Sequence, residues 1–184
     1  MAKQQQEVFD YVVVGSGFGG SVSAMRLTEK GYKVLVLERG KRYSNRDFPF
    51  SNWIVWKFVW MPALRCFGTW EFTPMELGLA LHGAGVGGGS LLYACVLEVP
   101  DDALFQNPSW RNLADWKTIL TPHYKTAQRM LGVAPNPKLW PADDVLKEIA
   151  DEMGQGHTFR PTNTGRFYGA EGAEVPDPYF GGEG

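Results

Sequence analysis

The chain has 184 residues, of which 21% are charged, and its formal net charge is −2. This near-neutral balance excludes a strongly basic surface, so we expect neither nucleic acid nor an anionic membrane as an electrostatic partner. A chain of this length can bury about 70% of the surface that its unfolded form exposes, which predicts a sizeable core. The first residues, MAKQQQEV, lack the apolar segment of a secretory signal, which predicts a cytoplasmic protein. The Met1–Glu7 tail is expected to be disordered.

The first predicted unit is a strand, a glycine turn, a helix and a second strand over Asp10–Gly40. Val12–Val14 is an unbroken β-branched run, typical of a strand that is buried on both faces of a parallel sheet. Gly31 is a natural left-handed cap where the helix ends, and Lys33–Leu37 (KVLVL) is the second strand. The order of these elements predicts the start of an α/β, Rossmann-type fold.

The turn between the first strand and the helix fits the pattern G-x-G-x-x-G. Gly15 allows a tight turn, Gly17 lets the backbone approach a pyrophosphate, and Gly20 lets the helix sit close to the strand. The helix N-terminus then offers free N–H groups to a phosphate. The candidate binding residues of this first glycine turn are Gly15, Ser16, Gly17, Phe18, Gly19 and Gly20.

Glu38 stands at the carboxyl end of the second strand. A carboxylate there can accept hydrogen bonds from both hydroxyls of an adenosine ribose, and it would repel a 2′-phosphate. Together with the glycine turn, it indicates dinucleotide binding. The alternative that stays open is a βαβ unit that binds no nucleotide.

A tryptophan-rich excursion follows over residues 41–75. Its most apolar part is Trp53–Leu64 (WIVWKFVWMPAL), which is too short to span a bilayer. Trp53, Trp56 and Trp60 recur at helical spacing and predict a short amphipathic helix. Two interpretations stay open: a lip that contacts a membrane or admits a lipid-like substrate, and a packed excursion that covers the sheet. Cys66, like Cys95 further on, matches no metal-binding or redox spacing, so we expect two buried thiols and no metal site.

A second glycine cluster, Gly83–Ser90 (GAGVGGGS), follows a short strand predicted over Glu76–Leu81. Its first seven residues contain five glycines, so side-chain bulk is missing where the backbone must pass close to something flat or charged. Leu91–Val99 (LLYACVLEV) is predicted to be a buried extended segment. His82, just before the cluster, has two interpretations: a proton-transfer group, or a histidine hydrogen-bonded beside a loop.

The remainder is predicted to be mainly helical. Helices are expected to begin near Trp110, at Thr121-Pro122 as N-cap and N1, and at Pro141. Gly132 and Gly154 end the second and third of them, and one strand is expected around Thr158–Arg166 within a loop-rich tail. His123 and His157 are expected to be surface residues.

This pattern resembles the glucose–methanol–choline family of flavoprotein oxidoreductases, and within it the cholesterol oxidase-like branch. The resemblance covers essentially the whole chain. The segments that carry it are Gly15–Leu27 (GSGFGGSVSAMRL), Val34–Gly40 (VLVLERG), Gly85–Ala94 (GVGGGSLLYA), Pro141–Gly154 (PADDVLKEIADEMG) and Val175–Gly184 (VPDPYFGGEG).

The resemblance implies a partial Rossmann-type FAD-binding domain in residues 8–100 and the start of an α+β substrate-binding domain in residues 101–184. It implies that FAD places its pyrophosphate on Gly15–Gly20 and its ribose on Glu38. The second cluster would pass along the isoalloxazine. The residues implied there are Gly85, Gly87, Gly89, Ser90, Tyr93, Ala94 and Val96.

Tyr93 departs from many relatives, which have Asn or His there, and the absence of a histidine from the second cluster argues against covalent flavin attachment through it. The implied activity is hydride transfer from the C–OH group of an alcohol, such as a sterol, to FAD. The family's catalytic histidine lies near its carboxyl end, so no catalytic residue is assigned and the truncated chain alone is expected to be inactive. The alternatives are an NAD-dependent dehydrogenase and an inactive fragment or nucleotide-binding module.

Overall fold

The computed structural model describes residues 7–170, 172–176 and 178. The chain divides into two compact units, Met1–Tyr93 and Ala94–Gly184, each of which is considered by itself. The tail predicted to be disordered lies outside the described residues except for Glu7, and so does most of the Val175–Gly184 segment. The functional division of the chain near residue 100 stays a prediction.

The first unit begins with the expected βαβ arrangement. Strand β1 (Tyr11–Val14) and strand β2 (Val34–Leu37) are parallel, and helix α1 (Phe18–Glu29) connects them. Tyr11 is paired with Val34 at the start of the register. Gly31 has φ +88°, as predicted for a left-handed residue that follows the helix. The Rossmann-like α/β start is therefore confirmed.

The prediction that β1 is buried on both faces is wrong for this structure. Val13 is half-buried on the side of α1, whereas Val12 and Val14 are 55% and 84% exposed. Helix α1 packs on one face of the two-stranded sheet, and within the described residues nothing comparable covers the other. The β-branched run correctly identified the strand, but it could not show which faces have a neighbour.

The apolar run Trp53–Leu64 does not form the amphipathic helix that its spacing predicts. Helix α2 (Val55–Phe58) is a single turn, because Val59 adopts an extended backbone conformation with φ −90° and ψ 140°. Strand β3 (Trp60–Met61) then pairs antiparallel with β4 (Cys66–Phe67) across a short 3₁₀ turn that begins at Pro62. Tryptophan periodicity was misleading here because strand pairing replaces the helix after one turn.

A β-hairpin leads into the second glycine cluster. Strand β5 (Trp70–Met75) pairs antiparallel with β6 (Gly78–Gly83), so the strand expected over Glu76–Leu81 is present but begins two residues later. A 3₁₀ helix follows at Gly88–Leu91. Leu91–Val99 is not the buried extended segment that was predicted, because Leu91 belongs to this helix and the segment is at most half-buried.

The regular elements of the second unit are mainly helices, as expected, but the helix boundaries differ from those predicted. Helix α4 (Trp116–Met130) begins before Thr121-Pro122 because the Asp115 side chain caps it by accepting a hydrogen bond from Thr118 N at 3.2 Å. Trp110 lies in a turn, and the strand expected around Thr158–Arg166 shrinks to two residues. The elements are α3 (Asp102–Phe105), α4 (Trp116–Met130), β7 (Ala134–Pro135), α5 (Pro141–Glu152) and β8 (Asn163–Thr164), with β7 and β8 antiparallel.

The sizeable core that the length predicts is absent from the described residues. Ala84 and Phe105 are the only hydrophobic residues among them that are buried. Cys66 and Cys95 are free thiols that are partly buried, so the prediction of two buried thiols is also wrong. Within the described part of the chain, none of the helices combines the length and apolar character needed to cross a bilayer.

Gly20 fixes the distance between α1 and the turn before it, which gives a direct test of the fold. A Cβ added at Gly20 would lie 2.0 Å from the carbonyl oxygen of Gly15, whereas one added at Gly19 would meet nothing within 4 Å. We expect Gly20→Ala to lower the free energy of unfolding by about 1–3 kcal/mol through overpacking. Gly19→Ala, the matched control, should raise it by about 0.5–1 kcal/mol because alanine favours helix.

The measurement is urea unfolding followed by far-ultraviolet circular dichroism. Equal unfolding free energies for the two variants would contradict the close packing of α1 on the turn.

Candidate functional site

The first glycine turn leaves the start of α1 open to an anion. Gly15 has φ +88°, which turns the chain sharply, and Gly17 is the N-cap of α1 without a side-chain cap bond. The helical hydrogen-bond ladder begins with Ser21 N, which donates to Gly17 O at 2.9 Å. The amides from Gly17 to Gly20 therefore precede the ladder and have no acceptor within the helix. No acidic side chain stands in the first helical turn, so the positive end of the helix dipole is not neutralised there.

The space around this turn also fits a bound group. A Cβ added at Gly17 or Gly19 would meet nothing within 4 Å. Gly20, by contrast, is held against the backbone of Gly15. The turn thus combines a backbone that is closely packed on the protein side with an open side on which a diphosphate can approach the amides.

Glu38 is tied to the first glycine turn through its side chain. The backbone N–H and the hydroxyl of Ser16 donate to Oε2 of Glu38 at 3.0 and 2.7 Å. The N–H of Gly40 donates to Oε1 at 2.9 Å. Oε2 accepts two of these three hydrogen bonds and Oε1 accepts one, so Oε1 is the oxygen with more capacity left for a ligand donor.

The surroundings of Glu38 favour its charged form. Partial burial acts to raise the pKa of this carboxyl, but the hydrogen bonds from Gly40, Ser16 and Arg39 outweigh burial and lower its pKa below the ordinary value. The carboxylate is therefore ionised at neutral pH. A negative charge at this position suits a ribose with free hydroxyls and disfavours a 2′-phosphate.

The second glycine cluster (Gly83–Ser90), which forms a loop and is called the second glycine loop below, contacts the first glycine turn. The N–H of Gly87 donates to the hydroxyl of Ser16 at 3.1 Å. A Cβ added at Gly88 would lie 2.9 Å from Cα of Gly17, so a side chain there would separate the two backbones. Ser16 and Gly87 are 71 residues apart in the chain. The two clusters therefore form one site within the first unit.

Glycine is required in this loop for conformation and for space. Gly85 and Gly87 have φ of +149° and +108°, a region that residues with side chains rarely adopt. A Cβ added at Gly40 would lie 2.3 Å from the N of Gly85, so the loop also packs against the end of β2. Ser90 closes the turn, because its hydroxyl donates to Gly87 O at 3.0 Å.

An aromatic pair stands beside the two loops. The rings of Phe18 and Tyr93 meet edge to face with centroids 5.8 Å apart, and a Cβ added at Gly89 would lie 3.1 Å from the Phe18 ring. The structure therefore brings Phe18, Gly89 and Tyr93 together. Ala94 and Val96 belong to the second unit, where Val96 forms an isolated bridge with Thr164.

Tyr43 is a residue of this site that sequence reasoning missed. Its hydroxyl lies 2.8 Å from Gly68 O and 3.0 Å from Phe67 O, and its ring approaches Gly85 so closely that an added Cβ would be 2.7 Å away. Burial, with the charge of Asp47, raises the pKa of the Tyr43 phenol, which keeps it a hydrogen-bond donor. No local sequence pattern predicts this role, because the hydrogen-bond partners of Tyr43 are backbone oxygens 24 and 25 residues further along the chain.

The histidines lie outside these contacts. His82 is exposed on β6, and its role in proton transfer stays untested. His123 and His157 are exposed, as predicted. In the described residues no group of three or more His, Cys, Asp or Glu side chains is placed to hold a metal ion.

Comparison with known proteins agrees with the fold and extends it. Residues 13–46 match the model of an NAD(P)-binding Rossmann-like domain, which covers the βαβ unit shared by nucleotide-binding enzymes. A cholesterol oxidase of Mycobacterium tuberculosis is 51% identical over 181 residues, which is 96% of this chain and 31% of the relative. A cholesterol oxidase of Acinetobacter baumannii is 45% identical over 180 residues, covering 96% of this chain and 32% of the relative.

An oxygen-dependent choline dehydrogenase of Staphylococcus epidermidis is 27% identical over 161 residues, which is 79% of this chain and 26% of the relative. The chain thus spans about a third of the length of the cholesterol oxidases that it matches. The matches to these cholesterol oxidases run through both glycine clusters, because they extend over nearly the whole chain. The resemblance to the glucose–methanol–choline family of oxidoreductases, and within it to the cholesterol oxidases, is therefore confirmed over nearly the whole chain.

Proposed function

We propose that the chain forms the cofactor-binding part of an FAD-dependent oxidoreductase that acts on the C–OH group of an alcohol. The observation that carries this proposal is the junction of the two glycine clusters at Ser16, beside the ionised carboxylate of Glu38. A nucleotide-binding turn alone serves FAD and NAD equally well. A second glycine loop held against it provides a surface that the flavin half of FAD would use.

Each part of the site has a proposed task. The amides of Gly17–Gly20 bind the pyrophosphate, with the helix dipole favouring its charge. Oε1 of Glu38 accepts a ribose hydroxyl, because it accepts fewer hydrogen bonds within the protein than Oε2 does. Gly85–Ser90 offers bare backbone to the isoalloxazine, and Phe18 and Tyr93 shape the neighbouring surface. The flavin, when bound, supplies the hydride acceptor.

The proposed substrate is a sterol, which is oxidised at its hydroxyl-bearing carbon. This proposal is supported by the names of two relatives, both cholesterol oxidases, at 45–51% identity. An NAD-dependent dehydrogenase is the weaker alternative, since it leaves the second glycine loop without a task. We assign no catalytic residue in this chain, and the inactivity of the chain alone, like its cytoplasmic location, stays a prediction.

We further propose that Trp53–Leu64 contacts a membrane or a lipid-like substrate. Trp53, Trp56 and Leu64 are 87%, 61% and 70% exposed, so this segment presents a large apolar surface. Surfaces of this kind are uncommon on soluble monomers unless they bind something.

Glu38 provides the first test of FAD binding. In the full-length protein, Glu38→Ala should weaken FAD binding by about 1–3 kcal/mol, because a charge-assisted hydrogen bond to the ribose is lost. The measurement is the FAD dissociation constant by isothermal titration calorimetry. Glu29→Ala is the matched control, because Glu29 lies on the same unit and pairs with exposed Arg26 at 2.7 Å at the far end of α1. An unchanged dissociation constant in Glu38→Ala would refute the ribose assignment.

The second prediction concerns the 184 residues alone. Among the described residues, one face of the β1–β2 sheet has no covering element, and the chain spans about a third of the length of its cholesterol oxidase relatives. We therefore expect the isolated chain to bind FAD poorly, with well under one flavin per chain after purification and dialysis. Flavin absorbance divided by protein concentration measures this ratio, and a stoichiometric ratio would show that the described residues suffice.

Membrane contact is tested with vesicles of phosphatidylcholine and cholesterol. Trp53→Ser should lower the vesicle partition coefficient, measured by co-sedimentation, about tenfold, because burial of one indole is lost. Trp140→Ser is the control, since Trp140 is 59% exposed on the second unit and is not part of the proposed surface. Equal losses in the two variants would exclude a specific role for Trp53.

A further inference from the structure

The hydroxyl of Ser16 stands at the centre of the site and is almost inaccessible to solvent. Ser16 is 6% exposed. Its hydroxyl donates to Oε2 of Glu38 at 2.7 Å and accepts from the N–H of Gly87 at 3.1 Å. It therefore lies between the strand end that holds Glu38 and the second glycine loop.

The chemistry of its two neighbours fixes the orientation of this hydroxyl. A backbone N–H can only donate, and an ionised carboxylate can only accept. The proton of Ser16 must therefore point to Glu38, which leaves an oxygen lone pair for Gly87. If the carboxylate were removed, the proton could take other orientations, and the lone pair that accepts from Gly87 would be held less firmly.

Gly87 is the residue at which the second glycine loop changes direction. It has φ +108°, and the 3₁₀ helix begins immediately after it. Its carbonyl oxygen accepts hydrogen bonds from Ser90 N at 3.2 Å and from the Ser90 hydroxyl at 3.0 Å. Anchoring the N–H of Gly87 thus positions the turn on which the rest of the loop is built.

We infer that Ser16 is a positioning residue that couples the Glu38 carboxylate to the order of the second glycine loop. The chain of hydrogen bonds from Gly87 through Ser16 to Glu38 is cooperative, since each bond polarises the next. A ligand hydroxyl that binds Oε1 leaves Oε2 engaged with Ser16, so occupation of the ribose site is compatible with an ordered loop. This inference rests on the proposed function for the identity of the ligand, but the coupling itself exists without ligand.

The coupling is tested first in the full-length protein without nucleotide. Hydrogen exchange is measured by mass spectrometry on peptides that contain Gly87. Ser16→Ala should speed exchange about fivefold, the effect of losing a hydrogen bond worth about 1 kcal/mol. Glu38→Ala should speed it as well, although Glu38 does not touch Gly87. The double variant should exchange no faster than Ser16→Ala. Additive effects, or no effect of Glu38→Ala, would overturn the coupling.

Ligand binding gives the second, independent test. ADP carries the ribose and diphosphate but no isoalloxazine, so it probes the first glycine turn alone. Ser16→Ala should raise the dissociation constant of FAD about fivefold more than that of ADP, because only FAD uses the ordered second loop. Ser21→Ala is the matched control, since its hydroxyl donates to Ser16 O at 2.6 Å and reaches neither Glu38 nor the loop. It should leave the ratio of the two constants unchanged.

The two tests separate the inference from the proposed function. Equal losses of FAD and ADP in Ser16→Ala would show a structural role only and would overturn the inference. Failure of the unsubstituted protein to bind FAD would refute the proposed function, while the exchange experiment would still decide whether Ser16 couples Glu38 to Gly87.

Discussion

The site depends on one carboxylate whose hydrogen bonds are made within the protein. Glu38 accepts from the N–H and the hydroxyl of Ser16 and from the N–H of Gly40. These bonds hold the ends of β1 and β2 together at the edge where parallel strands place their ligands. They also lower the pKa of the carboxyl, so the group that organises the turn keeps the charge with which it would meet a ribose.

The second constraint is that backbone segments of the site approach each other closely. Glycine allows this approach because it has no side chain. The first glycine turn packs on itself at Gly20, and the second glycine loop packs on it at Gly88. In each case a single Cβ would push two segments apart. At Gly17 the missing side chain has a different effect, because a Cβ there would occupy the open space beside the start of α1. The same residue type thus builds the contact between the loops and leaves open space beside the start of α1.

The sequence predicted the parts of this site whose rules are local. Strand, turn, helix and the acid at Glu38 follow from patterns within about 30 residues, and the structure confirms the elements. The contact between Gly87 and Ser16 could not be predicted, because nothing in either segment specifies the other. Burial was overestimated for Val12 and Val14, because β-branched residues indicate a strand but do not show whether another element packs on it. The helix expected from the tryptophan spacing failed because strand pairing at Trp60 competes with it.

The second glycine loop is what turns a general nucleotide-binding unit into a proposed flavin site, and this claim can be tested directly. The bound cofactor of the full-length protein would be released by heat and identified by mass spectrometry. We expect about one FAD per chain, with no covalent bond to the second glycine loop because that loop carries no histidine. Recovery of a nicotinamide nucleotide instead of FAD, or of a flavin that stays attached to a peptide from the loop, would contradict it.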